Sequence, residues 1–126
     1  MLNITSCLCP RRRENRTEEF YETLRDQTDK ISNYDYIVTA GDYIARVGNI
    51  PIDRTLGTNG EIPTNSNGHK LKEFTSVNEF KITNTFFRHK KIHKMTWNAR
   101  SYISIIDYIL TKKKLSPLVN DTKVFR

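Results

Sequence analysis

Residues 35 to 48 read DYIVTAGDYIARVG, and the division of this stretch decides the fold. The run Asp35 to Ala40 is short, apolar and β-branched, the composition of a buried strand, and Gly41-Asp42 ends it. Asp42 is therefore expected where a buried strand opens onto solvent. A carboxylate there can activate water or hold a metal ion. It can equally form a turn or cap a helix. A second acid, Asp107, lies inside SIIDYIL (104 to 110), apolar on both sides. A carboxylate in a buried strand is costly unless paired, so a functional role and a structural ion pair both stay open.

Working outward, residues 3 to 9 read as a strand stopped by Pro10, and RRRENR (11 to 16) as a basic loop. From Thr17 to about Ile31 the pattern is helical. Phe20, Leu24 and Ile31 recur at near-helical spacing, Glu18 and Glu19 fall in the first turn, and Lys30 in the last. Residues 45 to 67 carry Gly48, Pro51, Gly57, Gly60 and Pro63, which reads as a long loop with little in it to build a core. Asn67 is expected to cap a second helix over about 68 to 79, carrying Leu71, Phe74 and then Asn78 or Val77. FKITNTFF (80 to 87) reads as a strand, RHKKIHK (88 to 94) as a basic turn, and MTW (95 to 97) and SIIDYIL as further strands. DTKVFR (121 to 126) reads as a strand that begins. Strands alternate with helices, so the class is α/β or α+β.

At 126 residues the chain suits one domain. Net charge +7 and a pI near 9.5 favour polyanions, nucleic acid first and an acidic membrane surface second, with a merely solvated basic surface as the other reading. No apolar run approaches the roughly 18 residues of a membrane span. In MLNITSCLCPRRR the charges follow the apolar part, the reverse of a secretory signal, so a nuclear or cytoplasmic location is expected. Cys7 and Cys9 share one face of a strand, a spacing too strained for an ordinary disulfide. No histidine lies nearby to complete a metal site, so reduced thiols are expected. His89 and His93, four apart, could share a metal on a helix. They lie among Arg88, Lys90, Lys91 and Lys94, which repel a cation and suit contact with phosphates. Thr96-Trp97 offers a hydroxyl and an indole, either for the core or as a base-stacking platform. The lysine run 112 to 114 reads as a solvated turn.

Taken in order, GDYIARVGN, NSNGHKLKEF, KITNTFFRHKKIHKMTW, SIIDYIL and DTKVFR resemble the endonuclease/exonuclease/phosphatase family. The likeness is strongest to the nuclease domains of arthropod non-LTR retrotransposons and to the craniofacial-development-protein-2-like sequences. It runs from about Asn3 to Arg126. It implies a DNase-I-like fold: a four-layer sandwich of two mixed sheets packed face to face, with helices outside. Residues 1 to 126 would form part of one such domain. It also implies Mg²⁺-dependent cleavage of DNA phosphodiesters.

Carried over by motif, G-D-x-N-A-x-V-G falls on Gly41 to Gly48, and Asp42 takes the place of the catalytic aspartate and potential metal ligand. Ile44 replaces the phosphate-binding asparagine. Y-A-P falls on Leu8-Cys9-Pro10, so Leu8 replaces the active-site tyrosine. I-D-Y falls on Ile106-Asp107-Tyr108, making Asp107 the acid that orients a histidine. Arg46, Thr96 and Trp97 fall on the substrate side. That histidine, in an S-D-H motif, is expected after Arg126, and a metal-binding glutamate and an early asparagine before Met1. The expectation is a domain truncated at both ends, without a complete Mg²⁺ site and without activity, and self-associating through unpaired sheet edges. The alternative is a non-catalytic basic module that binds nucleic acid or protein.

Overall fold

The computed structural model describes residues 2–8, 14–31, 35–88, 97–99, 102–104 and 107–122. Strand β1 (Leu2–Leu8) leads through helix α1 (Glu14–Asp29) to strand β2 (Tyr36–Asp42). Helix α2 (Ser66–Val77) and strand β3 (Phe80–Ile82) follow, then a 3-10 turn (Thr83–Phe86). Strands β4 (Trp97–Ala99) and β5 (Tyr102–Ser104) form an antiparallel pair, and β6 (Asp107–Lys112) runs into a second 3-10 segment (Lys113–Leu118). The main sheet has the order β1-β2-β6-β3. β1 and β2 are parallel, as a helical crossover requires, and β6 is antiparallel to both β2 and β3. The class is mixed α/β. No helix among the described residues is long and apolar enough to cross a membrane.

Strand alternation divides the sheet's residues between two faces. Ile37, Thr39, Tyr108, Leu110, Phe80 and Ile82 share one face, all buried, in a core with Tyr21 and Leu24 of α1 and Leu71 and Phe74 of α2. Helix α1 presents Thr17, Tyr21, Leu24 and Thr28 inward, a stripe spaced by four, three and four residues. Phe20 and Ile31 only border that core. Rings connect the layers: Tyr21 lies 5.3 Å from Phe74, which stacks 5.7 Å from Phe80, while Phe20 meets Tyr43 at 6.1 Å.

Five sequence-based expectations change. The segment 45 to 67 does build core. Ala45, Val47 and Leu56 are buried with it, and Tyr43 before them is wholly buried. Positions 43, 45 and 47 alternate with half-buried Ile44 and Arg46, the period of an extended chain with one face inward. Backbone bonds hold the segment down: Gly48 N–H donates to Glu61 O (2.8 Å), Ile82 N–H to Thr55 O (2.8 Å) and Asn59 N–H to Thr85 O (3.0 Å). Gly57 lies so close to the Thr85 carbonyl that a Cβ would collide with it.

Helix α2 starts earlier than expected. Its cap is Asn65, not Asn67, and Asn65 Oδ1 accepts from Gly68 N–H at 2.7 Å. Strand β3 stops at Ile82, because side chains take over the ladder beside β6. Thr83 Oγ1 donates to Ile109 O (2.7 Å), and Asn84 Oδ1 accepts from Ile109 N–H (2.9 Å). SIIDYIL is divided between β5 and β6. Of the expected strand 121 to 126, Asp121 and Thr122 lie outside any strand, and 123 to 126 lie outside the described residues.

Candidate active-site row

Strand pairing brings three distant parts of the sequence level with one another. In the parallel pair, Leu8 is the partner of Asp42. In the antiparallel pair, Asp42 is the partner of Asp107. Positions 8, 42 and 107 thus form one row across β1, β2 and β6, with strands about 4.8 Å apart. Cys7 and Tyr108 flank Gly41 in the adjoining row.

Asp42 is half-buried at the end of β2. Its Oδ1 accepts the backbone N–H of Ile44 at 3.0 Å, an Asx turn that reverses the chain as it leaves the sheet. The turn puts Ile44 at φ +48°, in the left-handed region. Asparagine and glycine adopt that region readily, whereas a β-branched side chain crowds its own backbone there.

The segment after the turn is clamped on two sides. Asn67 Nδ2 donates to Ile44 O at 3.1 Å. Asn65 Oδ1 accepts from Arg46 N–H at 3.0 Å as well as from Gly68. Gly68 packs against the Arg46 carbonyl so closely that any side chain there would strike it. From the other side, Tyr108 O–H donates to Ala45 O at 2.7 Å, wholly buried. The Asp42 carboxylate is therefore positioned by the N-terminal turn of α2 and by β6.

Arg46 places its Nε 3.8 Å from Glu61 Oε2, so its charge serves a contact between two parts of the loop. Trp97 opens β4 opposite Ser104. Thr96, His89, His93 and Cys9 lie outside the described residues. Among the described residues no three of His, Cys, Asp and Glu gather as a metal site. Those residues do not make a complete Mg²⁺ shell. Neither Asn65 nor Tyr108 stands out in the sequence as a site residue. Asn65 stands two places before Asn67, and both are good caps, so only the direction of the buried stripe Gly68, Leu71, Phe74 and Thr75 separates them. Tyr108 lies beside Asp107 but reads as one more apolar residue of its strand.

Craniofacial development protein 2 of Bos taurus is 30% identical to this chain over 116 residues, which is 90% of this chain and 20% of that protein. The protein of the same name from Tragulus javanicus is 28% identical over 116 residues, again 90% of this chain and 20% of that protein. The chain is distantly related to these proteins and spans about one fifth of their length. No protein-family model matches it, and no solved structure matches it significantly.

Proposed function

We propose that this chain is a retrotransposon-type endonuclease/exonuclease/phosphatase domain, DNase-I-like in architecture, whose ancestral reaction was Mg²⁺-dependent cleavage of DNA and whose catalytic row has lost that activity. The observation that carries the reading is the row itself. Leu8, Asp42 and Asp107, the positions aligned with a tyrosine, the catalytic aspartate and the histidine-orienting aspartate, become strand partners although 34 and 65 residues separate them. The φ of Ile44 is independent support, because that backbone suits the asparagine that the family carries there. The distant relation to craniofacial development protein 2 agrees with it.

In the ancestral reaction an aspartate at 42 accepts a proton from, or orients, the water that attacks phosphorus. The Asx turn suits that role, since it occupies Oδ1 and holds the carboxylate against the chain reversal. An asparagine at 44 and a tyrosine at 8 would direct donors at the phosphoryl oxygens. Isoleucine and leucine have no such donor. Loss of one preorganised donor costs roughly 10²–10³ in rate, and groups that act as a unit fail together.

The test is nicking of supercoiled plasmid in Mg²⁺, with EDTA and Asp42→Ala as controls. The expected result is no metal-sensitive nicking. Nicking that both EDTA and Asp42→Ala abolish overturns the inactive reading. A second reading, a non-catalytic module that binds nucleic acid through its basic surface, is favoured by the +7 charge. Salt-dependent DNA binding without cleavage would support it.

A further inference from the structure

Between α1 and α2 the surface sinks into a groove of about 360 Å³, open to solvent and apart from the row at Asp42. Its floor is aromatic. Tyr21 and Phe74 are both largely buried yet reach it, with their rings 5.3 Å apart. One wall carries Glu18, Glu22 and Arg25 of α1, and the other Lys70, Glu73 and Val77 of α2. Each wall thus runs for about two helical turns, roughly 10 Å. Val77 is 72% exposed, an aliphatic side chain left in water beside an apolar floor.

The groove is acidic although the chain is basic. Glu18, Glu22 and Glu73 are exposed and make no ion pair or hydrogen bond among the described residues. Arg25 has Asp26 at 4.0 Å, which leaves Lys70 to face three carboxylates. Glu18 and Glu22 stand one turn apart on the same face, a like-charge pair that weakens a helix unless a cation joins them. From Thr17 to Asp29, α1 exposes five carboxylates and one guanidinium, while the whole chain is +7. At about 0.15 M salt, exposed charges more than roughly 8 Å apart are largely screened, so the groove attracts according to its own carboxylates. It repels a nucleic-acid strand or an anionic membrane. A simple cation would leave Tyr21, Phe74 and Val77 uncovered, and a neutral apolar ligand would leave the carboxylates without partners.

We propose that this groove docks a basic amphipathic segment of a protein partner, independently of the row at Asp42 and of any contact with DNA. An aliphatic side chain of the partner rests on Tyr21 and Phe74 against Val77. Lysines or arginines on either side of it pair with Glu18 and Glu22 on one wall and with Glu73 on the other. An amphipathic helix laid into a groove is a recurring mode of recognition, and a groove two turns long takes a short one.

The experiment uses the full chain and a short fluorescent peptide with leucines and lysines at helical spacing, read by anisotropy. One comparison peptide has glutamate in place of lysine, and another has serine in place of leucine. Only the leucine–lysine peptide is expected to bind, with an affinity that falls as salt rises. Glu18→Gln, Glu22→Gln and Glu73→Gln are each expected to weaken it about two- to fivefold, the worth of one exposed ion pair. Val77→Ser is expected to weaken it about tenfold through lost apolar contact. Lys70→Gln is expected to strengthen it, because it removes the cation that competes with those of the peptide. Glu19→Gln removes an exposed charge from the same helix outside the groove and is expected to change nothing. Glu18, Glu22, Glu73 and Val77 are exposed, so their variants are expected to melt with the unaltered chain, which separates lost binding from lost folding. The proposal is overturned if the leucine–lysine peptide does not bind, if the glutamate peptide binds as well, or if the groove variants fall no further than Glu19→Gln. It is overturned in favour of a second copy of this chain if the chain self-associates, Glu18→Gln with Glu22→Gln abolishes that association, and the peptide stays unbound.

Discussion

Ile44 is a β-branched residue at φ +48°, held there by the carboxylate of Asp42 and by Asn67. The left-handed region costs an L-residue about 1–2 kcal/mol, and least for asparagine and glycine. Ile44→Asn is therefore expected to stabilise the fold by about 1 kcal/mol, seen as a higher melting temperature. A lower one would mean that isoleucine's packing outweighs its backbone strain. Tyr108 gives the opposite case. Tyr108→Phe leaves the Ala45 carbonyl buried without its donor, and chemical denaturation should show a loss of about 1–3 kcal/mol. At this scale the sequence was half legible. Asp42 and Asp107 stand out as acids in apolar strands. The strain at Ile44 does not, because nothing in its neighbours announces a positive φ without knowledge of the Asx turn.

Among elements, α2 does the most to position the site. Asn65 caps the helix and binds the loop that follows Asp42, two roles for one oxygen. Asn65→Ala is expected to cost about 1–2 kcal/mol, where an ordinary cap costs about 1. A smaller loss would mean that Asn67 replaces it. At the other end of α2, Asn78 binds back to Phe74 O, and Lys112 of β6 donates to the Asn78 carbonyl with its ammonium 4.5 Å from the Phe80 ring. Burial holds Lys112 below its ordinary range, against the opposing pull of Glu79 and Asp29. Between that lowered value and the unfolded lysine value of about 10.4, the unfolded chain binds more protons than the folded one, so this group's contribution to stability rises with pH. Subtracting the stability–pH curve of Lys112→Met from that of the unaltered chain should leave a difference that climbs through this window and levels off above it. A flat or falling difference would contradict the assignment. Both helices and β2 were legible because their apolar spacing is regular. The end of β3 was not, because Thr83 and Asn84 imitate a ladder with side chains and leave the β-like composition of NTFF unchanged.

For the whole molecule, the mixed sheet order and the core follow from a helical crossover between β1 and β2 and from α2 packed beside it. The loop over 45 to 67 was misjudged because glycine and proline dominate its composition, while its buried residues are few and alternate with polar ones. Charge acts at this scale too. At +7 the chain should bind DNA with an affinity that falls steeply with salt, whether or not it cleaves, and salt-independent binding would count against a phosphate-backbone contact. The central claim is that positions 8, 42 and 107 meet in one row. Partners in an antiparallel pair have Cα atoms about 4.5–5.5 Å apart, within the span of a disulfide. The most direct measurement is oxidative cross-linking of Asp42→Cys with Asp107→Cys, in a chain whose Cys7 and Cys9 are serine. The account predicts an intramolecular bond between 42 and 107 and none when the second cysteine is placed at Ile109. Cross-linking of 42 to 109 in place of 107 would mean a shifted register and would contradict it.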